Sequence, residues 1–325
     1  MKSKLFLALV GVVVVIASAI ILFPRSRHVN LSPSIEVPTG ISKSPVTAVK
    51  NDGRNTTSNS LKKGIGMFGF GGKNNPLAIN ALNSLHVSWY YTWSKDPIYG
   101  DTTNKFVPMV RDKDMKSSGL FEENVKYFET RGTSPFLLVT NEPDSKIGDN
   151  MTVEQLIPYY PRLDKVADQL STPAFTDRGT ALQGAFLTEA KKQNIKVDFI
   201  PIHLYGPPNV QDFLKKIDDV YAEYKMPIWI TEMGVRDDSA YEGPNNKAPC
   251  ARTSTCVNKY SEAEVLAFMK ELLPELEKRP YVVRYAWFGA GGNNYFIDNE
   301  QIAISRIFEP DNATLTLIGK YYASF

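Results

Sequence analysis

The feature that most constrains how this chain folds is a rhythm. Over about 260 residues after Lys62, short apolar runs rich in β-branched and aromatic residues alternate with longer amphipathic stretches. The runs predict strands at 64–70, 87–93, 106–111, 135–141, 171–176, 197–205, 228–233 and 282–288. Apolar periodicity predicts helices at 74–85, 121–130, 153–168, 182–193, 210–224 and 262–278, with Pro158, Pro161 and Pro274 interrupting or kinking those that hold them. Strand–helix alternation implies a parallel sheet, and several runs are apolar throughout, as strands covered on both faces are. Eight strands in this length match the roughly 250 residues of a (β/α)8 barrel. The rival, a doubly wound open sheet, lacks its phosphate loop here, because Gly69-Phe70-Gly71-Gly72 does not have the GxGxxG order. The expected class is α/β, a (β/α)8 TIM barrel spanning residues 63–325.

Two segments precede that domain. Residues 1–27 combine a basic head with an apolar run from Leu5 to Phe23 and the basic pair Arg25 and Arg27. This is the pattern of a membrane anchor or an export signal peptide. Residues 28–62 are rich in Ser, Thr, Pro and Asn and read as a linker. The domain is therefore expected outside the cell or at its surface, secreted or anchored through residues 5–23, and as a monomer. Asn-X-Ser/Thr triplets at Asn30, Asn55, Asn150 and Asn312 would be glycosylation acceptors in an exported chain. Cys250 and Cys256 either close a small disulfide loop or remain two independent thiols. With 37 Lys+Arg against 35 Asp+Glu, the net charge of +2 excludes nucleic-acid binding by charge alone. No cluster of His and Cys suggests zinc.

A barrel carries its chemistry where strands meet the loops that follow them. Here those ends hold Trp89 and Trp93, Asn141 and Glu142, His203 and Tyr205, Glu232, and Trp287. Glu142 and Glu232 follow the fourth and seventh strands, on opposite sides of a barrel mouth. Cleavage of a glycosidic bond needs such a pair, about 5 Å apart for retention and roughly 6.5–9.5 Å for inversion. The acid/base should have its pKa raised by burial and by the neighbouring charge, while hydrogen bonds keep the nucleophile ionised. Trp89 and Trp93 face the same side of a strand and are candidate platforms for apolar sugar faces, unless one of them is simply core. His203 either lines the cleft or is a buried structural histidine, and Asp144 reads as a helix cap. Two carboxylates suffice for this chemistry, so no cofactor and no metal is called for.

Several segments, in order along the barrel, resemble glycoside hydrolase family 128, within the retaining clan A. They are Phe106-Val107-Pro108-Met109, Asn141-Glu142-Pro143-Asp144, Val197 through Gly206, Pro227 through Gly234, and Arg284-Tyr285-Ala286-Trp287-Phe288-Gly289. The resemblance implies endo-acting cleavage of β-1,3-glucan, with a β-glucan as the partner. It makes Glu142 the acid/base and Glu232 the nucleophile. It also implies that Asn141 bonds the sugar 2-hydroxyl, that Tyr205 donates to Glu232, and that Trp287 forms the floor under the sugar being cleaved. The strand-seven motif departs from the family's more frequent Thr-Glu-Phe-Gly by carrying Met233. A non-hydrolytic β-glucan-binding protein on the same barrel, or a hydrolase of another β-glycan, are the alternatives, since loops set the cleft and a fold does not fix a function.

Overall fold

Eight parallel strands form in the expected order in a computed structural model. They are β1 Lys63–Gly66, β2 Trp89–Tyr91, β3 Met109–Val110, β4 Ser134–Asn141, β5 Ala167–Ala174, β6 Ile200–Gly206, β7 Ile228–Val235 and β8 Val282–Trp287. The structure describes residues 60–67, 76–111, 119–145, 149–176, 181–238, 258–291 and 303–325. The expected leader, nearly all of the linker, and Cys250 and Cys256 lie outside the described residues. Among the described residues no helix is long and apolar enough to cross a membrane.

Strands β2-β1-β8-β7-β6 form one hydrogen-bonded run and β3-β4-β5 another. Single parallel bridges join the two runs at both seams, Tyr90 with Phe106 and Ser171 with Phe199. The Val107 amide donates to the Tyr90 carbonyl at 2.8 Å, and the Thr172 amide donates to the Phe199 carbonyl at 3.0 Å. The two runs thus meet at both seams, as the strands of a (β/α)8 barrel do.

Large side chains fill the barrel. Trp89, Tyr91, Val107, Met109, Leu138, Phe199, Trp229 and Ala286 pack together inside it. The Arg284 guanidinium lies 4.3 Å from the Phe136 ring and 4.4 Å from that of Trp229. Burial pulls its pKa down to about 10, so it stays charged at neutral pH and is held by the ring faces. β1 sends no side chain into this crowd. A Cβ on Gly64 would sit 2.2 Å from the Trp89 ring, and one on Gly66 only 2.4 Å from the Trp93 ring. The two glycines therefore make the room that the two indoles occupy.

The helices outside the barrel begin and end where local chemistry dictates. These are α1 Pro76–Ser84, α2 Gly119–Arg131, α3 Val153–Leu156, α4 Tyr160–Leu163, α5 Ala181–Lys192, α6 Val210–Tyr224, α7 Glu262–Lys278 and α8 Leu317–Ser324. Asn209 caps α6 by accepting from the Asp212 amide, and Lys225 ends it in a left-handed conformation. Val210, Phe213, Leu214, Ile217 and Val220 form its buried stripe. Each such side chain contributes at most about 1.5–3 kcal/mol. A capping box between Ser261 and Glu264 starts α7. Pro274 does not interrupt α7, which continues through it to Lys278. Pro158 and Pro161 do break their stretch, each sitting in the first turn of a short helical piece. That helical stretch stops at Val166, because Ala167 already pairs in β5, earlier than the sequence predicts.

Candidate active site

The end of β4 is built irregularly. Thr140 and Glu142 both adopt left-handed backbone, with φ of 58° and 48°, and the β4–β5 register shifts on either side of Val139. For a β-branched residue such as Thr140 this costs on the order of 1–3 kcal/mol. Asp149 holds the distortion in place. Fully buried, it accepts from the Asn141 amide at 2.8 Å through Oδ2 and from Arg111 Nε at 2.8 Å through Oδ1. Its own amide donates to the Asn141 carbonyl at 3.0 Å. Asp149 clamps Asn141 from both sides, which aims the next residue, Glu142, into the barrel mouth.

Glu142, His203 and Glu232 converge there, with one nitrogen or oxygen from each lying within 4.8 Å of the others. His203 and Glu232 are direct register partners on β6 and β7. His203 Nδ1 lies 2.9 Å from Glu142 Oε1 and 3.5 Å from Glu232 Oε2. Glu232 is fixed from two further sides. The Tyr205 hydroxyl donates to Oε2 at 2.7 Å, and Trp93 Nε1 donates to Oε1 at 2.9 Å. The same indole N–H also reaches Asn141 Oδ1 at 2.9 Å. The Glu142 side chain remains 22% exposed against 6% for Glu232, so one carboxyl reaches solvent and the other is locked.

Electrostatics order the site differently from the sequence expectation. Burial pushes Glu142 up, but the hydrogen bond and charge of His203, with Arg236 and Arg111 beyond, bring it below the usual carboxylate range. Glu232 is pushed up, first by burial and then by the Glu142 charge, against the pull of His203, Tyr205 and Trp93. Burial lowers His203, yet the charges of Glu232 and Glu142 carry it above its ordinary value. The cause is the histidine placed on Glu142, whose Nδ1 lies 2.9 Å from Oε1 and favours the ionised carboxylate. Burial raises both Tyr91 and Tyr205 far above the ordinary phenol value, so Tyr205 stays a donor.

Of the residues the sequence nominates, Glu142, Glu232, Asn141, Tyr205, His203 and Trp93 meet at the mouth. Trp93 does so through its N–H as well as its ring. Trp89 does not reach it. It is 1% exposed inside the barrel, stacked on Tyr91, with its N–H spent on the Lys62 carbonyl. Trp287 is likewise no cleft floor. It is fully buried outside the barrel wall against Phe268 of α7, and its N–H donates to the Ser305 carbonyl at 2.7 Å. The next residue, Phe288, turns toward the site and meets the rings of Trp93 and Tyr205 edge-on at 5.8 and 5.7 Å. Among the described residues Asp144 caps no helix. It accepts from the Thr176 amide at 2.9 Å and from its hydroxyl, tying the β4 loop to the end of β5. Sequence reasoning missed Asp149, Phe288 and the Tyr91 hydroxyl, which donates to the Thr231 carbonyl at 2.8 Å beneath Glu232. Arg111 at the end of the third strand, a cation in want of an acidic partner, was the available signal for Asp149.

Among the described residues, Glu142, His203 and Glu232 are also the one grouping able to hold a metal ion. Their mutual contacts are those of groups sharing protons. A carboxylate pair this close, one solvent-reachable and one locked by two donors, is suited to donate a proton on one side of a bond and attack on the other.

Comparison with known proteins points the same way. A family model described as the glycosyl hydrolase catalytic core matches residues 67–322. No curated protein matches the chain. A family 128, subgroup I endo-β-1,3-glucanase from Amycolatopsis mediterranei, solved with laminaritriose and laminaribiose, is 25% identical with a TM-score of 0.62. The match covers 81% of this chain and 99% of that one. A subgroup V exo-β-1,3-glucanase from Cryptococcus neoformans, 18% identical with a TM-score of 0.59, shares the fold over 81% of this chain and 98% of its own. So does a curdlan-specific exo-β-1,3-glucanase of subgroup III from Blastomyces gilchristii, at 24% identity, a TM-score of 0.55 and the same coverage.

Proposed function

The chain belongs to the glycosyl hydrolase catalytic core family, and from that premise we propose that it cleaves internal β-1,3-glucan linkages with retention, Glu142 serving as acid/base and Glu232 as nucleophile. The observation that carries this reading is the separation of the two carboxyl groups, with oxygens within 4.8 Å across the mouth. That distance leaves no room for the water an inverting enzyme places between its carboxylates. The roles follow from the surroundings. Glu232 faces two donors and is held still, as an attacking group must be. Glu142 is the more exposed, and its proton source is His203 at 2.9 Å.

In the first step, Glu142 gives its proton to the glycosidic oxygen as the C1–O bond breaks, and Glu232 forms an ester with C1 from the opposite face. His203 supplies that proton to Glu142 beforehand, leaving the imidazole neutral. In the second step, Glu142, now a carboxylate, takes a proton from water as the water oxygen attacks C1 and releases Glu232. Two inversions at C1 restore the β configuration. Asn141 bonds the sugar 2-hydroxyl, a contact that strengthens as positive charge develops at C1. Phe288, rather than Trp287, supplies the aromatic wall. The N-terminal apolar run supports placing the barrel outside the cytoplasm, where such polymers are met. All the catalytic groups come from one chain, so the reading needs no second subunit.

The test is Glu232→Gln. Release of reducing ends from laminarin should vanish while circular dichroism and Tm stay near wild type. Undiminished release would remove Glu232 from the mechanism.

A further inference from the structure

We propose that the indole N–H of Trp93 is a positioning group for two partners at once: it fixes Glu232 for attack and turns the Asn141 amide toward the sugar. The inference rests on the functional reading above and assigns Trp93 a part in it beyond that of a stacking surface. Trp93 Nε1 lies 2.9 Å from Glu232 Oε1 and 2.9 Å from Asn141 Oδ1. An indole nitrogen only donates, so both partners must present acceptors to it. For Asn141 this settles which way the amide faces. Its oxygen points to Trp93, and its NH2 is left to donate to a sugar 2-hydroxyl. For Glu232 it means that both oxygens are held, one by Trp93, two residues past β2, and one by Tyr205 from β6.

The fold is arranged to keep the indole there. Trp93 has a left-handed backbone, φ 50°, a conformation that bulky residues rarely take. Its ring packs on Tyr91 at 4.4 Å and against Phe288. The rim of the ring fills the space above Gly66, where a Cβ would approach to 2.4 Å. A sugar platform needs only an exposed ring face. Strained backbone, a glycine cut-out and a shared hydrogen bond point to the ring edge as the working part.

The ionisable groups that face Glu232 are Glu142 just after β4, His203 and Tyr205 from β6, and Tyr91 from β2. Arg236, just after β7, sits over the Tyr205 ring. Trp93 is, with Tyr205, a neutral donor to Glu232, so its removal changes no charge. Trp93→Phe keeps an aromatic ring but loses the N–H, together with the second ring of the indole. In steady-state kinetics on laminari-oligosaccharides, kcat should fall about 10- to 100-fold with KM within about threefold. The acid limb of kcat/KM should move up by about one pH unit, because Glu232 loses a donor that favours its ionised form. A substrate lacking the 2-hydroxyl supplies the second readout. Wild type should lose far more rate on it than Trp93→Phe does, since Asn141 is no longer aimed. Should Trp93→Phe fail to fold, Gly66→Ala, which displaces the ring edge, must shift the acid limb in the same direction. If the wild type does not cleave these glucans, the functional reading falls and takes this one with it. Cleavage by wild type, with both the limb and the 2-hydroxyl dependence unchanged in the variants, overturns the role of Trp93 alone.

Discussion

Replacing Tyr205 by Phe removes one oxygen and little else. The ring, wedged edge-on against Phe288 and beneath the Arg236 guanidinium, has its packing intact. What disappears is the 2.7 Å bond from the hydroxyl to Glu232 Oε2. A hydrogen bond to a charged acceptor contributes about 1.5–3 kcal/mol, and 1.36 kcal/mol is a factor of ten in rate or one unit of pKa. If that bond is at full strength when Glu232 carries its charge, kcat/KM should fall about 10- to 150-fold. The sign of the pH effect is fixed as well. Tyr205 pulls Glu232 down against burial and the Glu142 charge, so without it the carboxyl rises further. The nucleophile must be ionised, and the acid limb of kcat/KM should therefore shift to higher pH by about one to two units. Stopped reducing-end assays across pH 3 to 8 (about half-unit steps) would read both. A variant with wild-type rate and an unmoved acid limb would refute the claim that Tyr205 holds Glu232 ionised.

Two further outcomes follow from the same geometry. His203 has its pKa raised, so it keeps its proton above its ordinary value and loses it only as pH climbs past that. His203→Asn removes the store and should bring the alkaline limb of kcat/KM down toward the carboxylate range, and a limb that stays in place would show that Glu142 needs no such source. Phe288→Ala should raise KM for laminari-oligosaccharides by about 2- to 10-fold, whereas Trp287→Phe should leave KM within twofold and instead lower Tm by orphaning the buried Ser305 carbonyl, at about 1–3 kcal/mol. The reverse pattern would return Trp287 to the cleft.

Much of the fold is legible in the sequence because its signals are local. Helices α6 and α7 begin and end at the predicted residues, since Asn209 and the Ser261–Glu264 box announce their starts and a period near 3.6 carries them through. Glu142 and Glu232 are legible for a similar reason: one directly follows an apolar strand and the other sits near the end of one. What the sequence hides depends on registers between strands. Trp287 and Phe288 are neighbours, and a single step along a strand decides which of them faces the helices and which the cleft. Trp89 and Trp93 share a face, but only their heights in the barrel, set by pairing with β1 and its Gly64 and Gly66, make one a plug and the other a donor. Asp149 lies across a loop from the amide it clamps, and no periodicity links the two. The electrostatics of the pair depend on His203, whose 2.9 Å contact with Glu142 exists only once β4 and β6 are brought together by the fold.

The most direct measurement is the anomeric configuration of the first product. Proton NMR of laminari-oligosaccharide hydrolysis, recorded before mutarotation, should show the β-anomer accumulating first, as two displacements by carboxyl groups this close require. Early appearance of the α-anomer would mean that water attacks directly, and Glu232 would not be the nucleophile.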